Sequence, residues 1–193
     1  MNDPGSLWLP GLTHIPSDNC DERPPDAEVD LLVIHNISLP PGEFGGDYIE
    51  ALFLNRLDPG AHPYFAEIAH LQVAAHILIR RDGSATQFVA LDRRAWHAGL
   101  SSFCGREHCN DFSVGVELEG SDETPFSAAQ YTSLGTVTSR IRQLFPAIRP
   151  DRIVGHADIA PGRKTDPGPL FDWDLYRRMI AEGQPDLANI RKT

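Results

Sequence analysis

The segment Val29–His35, VDLLVIH, is a nearly continuous apolar run with β-branched residues, and it ends in a histidine. Such a run, followed by the proline- and glycine-rich NISLPPGEFGG, is typical of a short buried strand that leads into a loop. A second run, Ile153–His156, also ends in a histidine. We therefore predict an α/β fold in which two strands each carry a histidine at their carboxyl end.

The sequence between these two strands contains further helix and strand patterns. Apolar residues are spaced as in a helix over Tyr48–Leu57. Ala74–Ile79 predicts a strand that turns through RRDGS into a second strand, ATQFVAL. Ser113–Glu119, SVGVELE, alternates strictly, so its valines and leucine are expected to share one face, and its glycine and glutamates the other.

Two helices in the second half of the chain are predicted from their capping residues. Ser127 and Gln130 fit a capping box ahead of an apolar run that stops before Pro146. Asp172 is expected to cap a final helix that turns Trp173, Tyr176, Met179 and Ile180 inward. Together the elements predict a single α/β domain over residues 1–193, with a central mixed β-sheet flanked by helices, an irregular lead-in over residues 1–28 and a loose tail over residues 182–193.

Charge and composition limit the partners of the chain. Nucleic acids and anionic membranes are bound by basic surfaces, and the formal net charge here is -10, so we expect neither as a partner. No stretch approaches the roughly 20 apolar residues of a membrane helix, and the acidic start of the chain does not resemble a signal peptide. The 3 cysteines then favour free thiols in a reducing compartment. We expect a cytoplasmic protein, and a monomer because no dimer helix is evident.

Two imidazoles and one carboxylate can form a metal site at the ends of the predicted strands. His35 and His156 end two strands, and Asp166 follows in a loop that is rich in proline and glycine. Three such ligands leave the fourth position of zinc to water, which is typical of a catalytic site. A single histidine is nevertheless more often a core or surface residue than a ligand, and the spacing alone is not diagnostic. The cysteines and histidine of FCGREHCN do not fit a standard zinc pattern.

Two charged residue types can complete a hydrolytic site. Glu117 and Glu119 lie on the predicted strand SVGVELE, although glutamate is disfavoured inside strands. On a solvent face both are ordinary exposed residues. On the floor of a cleft the more central Glu117 is the better general base, and Gly115 leaves room for a ligand. Lys164, two residues before Asp166, is either a surface lysine or an ammonium aimed at an oxyanion.

Taken together, these motifs resemble the AmpD-type N-acetylmuramyl-L-alanine amidases, which share the amidase and peptidoglycan-recognition fold. The resemblance covers Trp8–Arg178 and rests on seven stretches: LLVIHNISLPPGEFGG, AHPYF, AHILIRRDG, RAWHAG, CNDFSVGVELEG, FPAI and GHADIAPGRKTDPGPLFDW. Because several of these motifs are long, we expect the fold of that family.

The resemblance also implies a reaction and the residues that perform it. It implies one zinc ion per chain, bound by His35, His156 and Asp166. Glu117 is the implied general base, and Lys164 is the implied stabiliser of the oxyanion. The implied reaction is hydrolysis of the amide between 1,6-anhydro-N-acetylmuramic acid and L-alanine in small muropeptides. It belongs to cytoplasmic peptidoglycan recycling, with an influence on β-lactamase induction.

The chain departs from the family pattern at four positions. Ala157 and Gly162 replace a cysteine and a glutamate, but neither position is a ligand, so we expect activity to survive. Gln72 and His108 stand where relatives can have arginines, so we expect weaker anchoring of the peptide carboxylates, with part of that load on a nearby arginine. RAWHAG taken alone is typical of packing. We expect substrate contacts from four further residues: Asn36, Trp96, His97 and Arg106.

Two other classes of protein compete with this interpretation. One is a non-catalytic peptidoglycan-binding module of the same fold. Such modules lack a complete ligand set, whereas all three ligand types are present here. The other is a lytic enzyme that acts on intact cell wall. Such an enzyme needs export or a wall-binding domain, and the sequence predicts neither.

Overall fold

The computed structural model describes residues 6–181, so the tail predicted over residues 182–193 lies outside the described residues. The described residues contain ten strands: β1 (Thr13–His14), β2 (Cys20–Asp21), β3 (Leu31–Ile37), β4 (Ile77–Ile79), β5 (Ala85–Gln87), β6 (Arg94–Ala95), β7 (Ser102–Phe103), β8 (Arg106–Glu107), β9 (Ser113–Glu119) and β10 (Ile153–Gly155). They also contain five α-helices: α1 (Tyr48–Phe53), α2 (Pro63–Ile68), α3 (Ala128–Leu144), α4 (His156–Ile159) and α5 (Trp173–Ala181).

Six of the strands form one mixed sheet in the order β1-β5-β4-β9-β3-β10. The four strands β4, β9, β3 and β10 are parallel to one another. Strand β5 is antiparallel to β4 and continues the sheet to the short edge strand β1. The predicted single α/β domain with a central mixed sheet is confirmed. Strands β3 and β9 each have a neighbouring strand on both sides, and most of their residues are buried.

The two faces of the sheet have different coverings. On one face, Leu32 and Ile34 of β3 and the valines of β9 pack in one apolar cluster with Leu134 and Ile141 of α3. Helix α5 packs on the same side. The hydroxyl of its buried Tyr176 lies 2.6 Å from the hydroxyl of Thr138 on α3 and is hydrogen-bonded to it. The opposite face carries α1, α2 and a set of polar side chains. Packing on the first face therefore leaves the second face free for chemistry.

Local sequence signals placed several elements correctly. Strand β9 covers the predicted residues Ser113–Glu119. The capping box before α3 is present, since the Ser127 hydroxyl accepts the main-chain N–H of Gln130 at 3.1 Å and the Gln130 side chain accepts the N–H of Ser127 at 3.0 Å. Asp172 accepts the N–H of Leu175 at 2.8 Å at the start of α5. The predicted hairpin joins β4 to β5.

Other elements differ from the predictions for reasons that lie far away in sequence. Helix α1 ends at Phe53, not Leu57, because the side chain of Asn19 donates to the Phe53 carbonyl at 3.0 Å and Asn55 turns left-handed at φ 57°. The lead-in that we expected to be irregular contains β1 and β2, and Asn19 is buried within it. Helix α2 was not predicted, although Pro63 at its first turn is a typical start signal. In residues 6–181, no helix is both long and apolar enough for a bilayer crossing.

Candidate active site

Strand register brings the predicted site residues to one edge of the sheet. In the parallel pairing of β3 with β9, His35 lies directly opposite Glu117. On the other side of β3, Gly155 of β10 pairs with Ile34, so His156 begins α4 one residue further on, beside His35. Carboxyl ends of parallel strands meet at the same edge, where α/β folds place their ligands.

Three donor atoms converge at this edge. The Nδ1 atoms of His35 and His156 lie 3.0 Å apart. The Oδ2 atom of Asp166 lies 3.0 Å from the first and 3.1 Å from the second. Zinc bonds of about 2.0–2.1 Å at tetrahedral angles separate two ligand atoms by roughly 3.3 Å. Among residues 6–181, these three form the group of histidine, cysteine or acidic side chains that is close enough to hold a metal ion.

The other ring nitrogens show why a cation fits between these donors. His156 Nε2 lies 3.0 Å from the carbonyl of Ala98, which can only accept, so that nitrogen carries the hydrogen. His35 Nε2 lies 2.9 Å from Nδ1 of His97. Burial lowers the pKa of His35 to about 4, against the opposing effect of Asp166, so this ring is neutral near pH 7. Neutral His35 that donates through Nε2 turns its Nδ1 lone pair toward the Asp166 carboxylate, and a metal ion removes the resulting repulsion.

The loop that carries Asp166 is held against the strand end by its main chain. The carbonyl of Asp166 accepts the N–H of Ala157 at 2.9 Å. A Cβ at position 155 would lie 2.7 Å from Cδ of Pro167, so the close approach of the loop requires Gly155. Gly155 and Pro167 therefore set the position of the Asp166 carboxylate.

The two glutamates on β9 have different surroundings: within residues 6–181, Glu119 forms an ion pair with an arginine, and Glu117 does not. Glu119 accepts from Arg80 at 2.8 Å and also from the main-chain N–H groups of Gly45 and Arg81. Glu117 has one oxygen 4.0 Å from Nδ1 of His35 and another that is buried without a hydrogen-bond partner. Burial, with added repulsion from the Asp166 carboxylate, raises the pKa of Glu117 well above its usual value. A carboxylate that is this poorly solvated is a strong proton acceptor beside the donor cluster.

A cavity of about 610 Å³ opens onto this cluster, within the usual range for small-molecule sites. Its polar side includes Glu117, His156, Lys164 and Asp166. Its apolar lining comes from the loop after β3, from α1 and α2 and from the segment before β4: Leu39, Leu52, Phe53, Tyr64, Ile68, Leu71 and Val73. The site can therefore hold a ligand with polar and apolar parts.

The structure brings three of the four expected substrate contacts to the cavity. Asn36, Trp96 and His97 line it. The Asn36 amide donates to Asp122 at 2.8 Å, and the Trp96 indole donates to an aspartate of β2 at 3.1 Å. These bonds orient both side chains, while their remaining surface faces the cavity.

Arg106 is not one of the described residues that line the cavity. It lies on the hairpin of β7 and β8, where its guanidinium donates to Asp30 at 2.7 Å and stacks 3.7 Å from the ring centre of Phe112. His108 lines a separate depression. The neighbouring cysteines are free, and among residues 6–181 they form no metal-binding group with this histidine.

The space beside Gly115 is filled by a side chain of the protein itself. A Cβ at this position would lie 2.5 Å from Cγ and Nδ1 of His97. The prediction that Gly115 leaves room for a ligand was therefore wrong, because the imidazole occupies that room. The ring also lies 3.1 Å from the Ser113 hydroxyl, a contact that the sequence did not indicate. No local pattern relates the two residues, since Ser113 lies on strand β9 and His97 on the loop after β6.

The fold and the site define an α/β protein with a candidate hydrolytic centre at the carboxyl edge of its sheet. The sequence profile of the N-acetylmuramoyl-L-alanine amidase family matches residues 25–169, including all three metal-ligand candidates, Glu117 and Lys164. The chain belongs to this family.

Individual relatives show the same similarity over nearly the whole chain. The chain is 58% identical to the 1,6-anhydro-N-acetylmuramyl-L-alanine amidase AmpD of Enterobacter cloacae, over 90% of this chain and 92% of that protein. It superposes on a crystal structure of a selenomethionine AmpD derivative with a TM-score of 0.87, at 57% identity over 90% of this chain and 96% of that chain. A structure of Escherichia coli AmiD with anhydro-N-acetylmuramic acid-L-Ala-D-γ-Glu-L-Lys matches with a TM-score of 0.61, at 28% identity over 83% and 65% of the two chains.

Proposed function

We propose that this protein is a zinc-dependent amidase for small muropeptides. The bond cleaved is the amide between 1,6-anhydro-N-acetylmuramic acid and L-alanine. The observation that carries the proposal is the position of the Glu117 carboxylate beside the three-donor cluster. Its Oε1 lies 4.0 Å from Nδ1 of His35, and its buried Oε2 has no hydrogen-bond partner in the described part of the chain. The names of the AmpD relatives and the substrate bound to AmiD support the choice of substrate.

We place this activity in cytoplasmic peptidoglycan recycling, with an influence on β-lactamase induction. The similarity to AmpD over 90% of the chain supports that role. We further propose that residues 1–193 act as one domain and as a monomer with one zinc ion. Because all strands of the main sheet and all five helices of residues 6–181 build a single α/β unit, no second domain is needed to complete the site.

His35, His156 and Asp166 would hold the ion in this mechanism. The Lewis-acid chemistry that zinc supplies when bound polarises a carbonyl and acidifies a water molecule. Glu117 accepts the proton of the attacking water, since its carboxylate is buried beside the cluster and its raised pKa makes it an effective base. The same carboxyl group then donates that proton to the leaving amine of L-alanine. The peptide therefore leaves as a neutral amine.

Lys164 completes the charge balance of the reaction. Its side chain lines the cavity with Glu117, and its positive charge acts on both Glu117 and His35. An ammonium at this position stabilises the oxyanion that forms when water adds to the scissile carbonyl. The apolar residues that line the cavity exclude water from the part of the substrate that they contact.

The test compares the wild-type protein with Glu117→Gln, which keeps the size of the side chain but removes the base. Zinc content and hydrolysis of anhydromuramyl-tripeptide are measured on the same preparations, with mass spectrometry of the products. We expect about one zinc per chain in both, and turnover about 100- to 10,000-fold lower in the variant. Zinc binding without any cleavage by the wild-type protein would refute the proposed activity and favour the binding-module alternative.

A further inference from the structure

A chain of hydrogen bonds leads from His35 through His97, which lines the cavity, to a buried main-chain carbonyl. His35 Nε2 lies 2.9 Å from Nδ1 of His97. The other nitrogen of that ring, His97 Nε2, lies 3.1 Å from the Ser113 hydroxyl. The hydroxyl in turn lies 2.6 Å from the main-chain carbonyl of Cys109. Three side chains and one carbonyl are thus joined in series.

The last carbonyl fixes the direction of every bond in this series. A carbonyl only accepts, so the single hydroxyl hydrogen of Ser113 points to Cys109. The Ser113 oxygen therefore accepts from His97 Nε2, which must carry the ring hydrogen. Neutral His97 then has a lone pair on Nδ1 and accepts the N–H of His35 Nε2. His35 is left with a lone pair on Nδ1, the atom that faces His156 and Asp166.

The position of the His97 ring is fixed as tightly as its hydrogen bonds. Its ring packs against Gly115, where a Cβ would approach to 2.5 Å. The side-chain oxygen of Asn110 accepts the main-chain N–H groups of His97 at 3.2 Å and of Ala98 at 2.8 Å. Both ring nitrogens are occupied within the protein, so neither is left to hydrogen-bond a substrate.

We propose that His97 is a positioning residue that holds His35 in the tautomer and orientation required of a metal ligand. Ser113 sets the donor-to-acceptor direction of the hydrogen bonds in this series. This inference rests on the proposed metal site, and it replaces the substrate contact that the sequence suggested for His97. Groups that orient a ligating histidine from behind typically contribute 10- to 100-fold in metal affinity. Among residues 6–181, the hydrogen-bond partners of the His97 ring are His35 and Ser113, and neither His156 nor Asp166 is one of them.

A matched pair of variants tests the proposal. His97→Asn places an amide oxygen near the former Nδ1 and keeps an acceptor for His35. His97→Leu introduces a side chain with the same number and branching of heavy atoms as asparagine, but without a hydrogen-bond acceptor. We expect His97→Leu to weaken zinc binding about 10- to 100-fold in chelator competition, and His97→Asn to recover most of that loss. Circular dichroism of both variants checks that they fold.

A spectroscopic measurement separates this inference from the proposed function. Two-bond proton–nitrogen NMR correlations of the metal-free, isotope-labelled protein report the His35 tautomer directly. We expect hydrogen on Nε2 alone in the wild type and in His97→Asn, and a mixture of tautomers in His97→Leu. An unchanged His35 tautomer in His97→Leu would overturn the inference even if the amidase activity is real. Equal losses of zinc affinity in both variants, or a higher KM with unchanged affinity, would overturn it as well.

Discussion

Gly115→Ala is the smallest change that should disturb the site through its supporting residues. The new Cβ would lie 2.5 Å from Cγ and Nδ1 of His97, against an ordinary contact distance of at least 3.4 Å. The imidazole must therefore retreat by about 0.9 Å, the difference between these two distances. It cannot do so without stretching its bonds to His35 and Ser113, which are 2.9 Å and 3.1 Å long.

The size of the effect follows from these contacts. Overpacking by one methyl group typically costs about 1–3 kcal/mol of the free energy of unfolding. Loss of the bond behind a ligating histidine typically weakens metal binding by about 10- to 100-fold. We expect both effects in Gly115→Ala, measured by urea unfolding of the metal-free protein and by zinc competition with a chelator. Gly60→Ala, at an exposed loop position away from the site, is the matched control and should leave zinc affinity unchanged.

A double variant decides whether the methyl group acts through His97. In a His97→Ala background the ring is gone, and the space beside residue 115 is open. Gly115→Ala should then have little further effect on zinc affinity. If it weakens zinc binding equally with and without the imidazole, or not at all in the wild-type background, the reasoning from the close contact is refuted.

Three further predictions concern single charged or titratable groups. Lys164→Ala should lower turnover by about 100- to 1000-fold with zinc retained, and wild-type turnover would remove Lys164 from the mechanism. Asp166→Ala should lose zinc before it loses its fold, so full zinc occupancy in a metal assay would exclude Asp166 as a ligand. Burial lowers the pKa of His76 from 6.5 to about 3. Under acid conditions the unfolded chain therefore binds a proton at this residue that the folded chain does not, and stability falls as the pH is lowered. From about pH 7 to about pH 5 this one group should reduce the free energy of unfolding by about 2 kcal/mol. Urea titrations in which His76→Asn has the same dependence on pH as the wild type would contradict this.

Local signals in the sequence predicted the elements that depend only on neighbouring residues. The capping box of Ser127 and Gln130 and the alternation of Ser113–Glu119 are complete within a few residues, and both are confirmed. The two-residue strands β1, β2, β6, β7 and β8 are too short to carry a periodic pattern. Helix α1 ends early because Asn19, far away in sequence, binds its last carbonyl.

The site could be predicted as a set of residue types, but not as a geometry. The predicted strand ends pointed to His35 and His156, although β3 continues to Ile37 and His156 begins α4. The resemblance to a family added the roles of the other residues. The direct pairing of His35 with Glu117 depends on strand register, which no local pattern sets. The bond from His35 to His97 depends on a loop that crosses the sheet at Gly115. Contacts of this kind appear only when the chain is folded.

The most direct test of the central claim is hydrolysis of anhydromuramyl-tripeptide in isotopically labelled water, before and after removal of zinc. We expect the zinc-loaded protein to release free tripeptide, with the label in the new carboxyl group of the anhydromuramic acid. Chelation should abolish this reaction, and added zinc should restore it. Unchanged activity after complete removal of the metal, or cleavage between two amino acids of the peptide, would contradict the account.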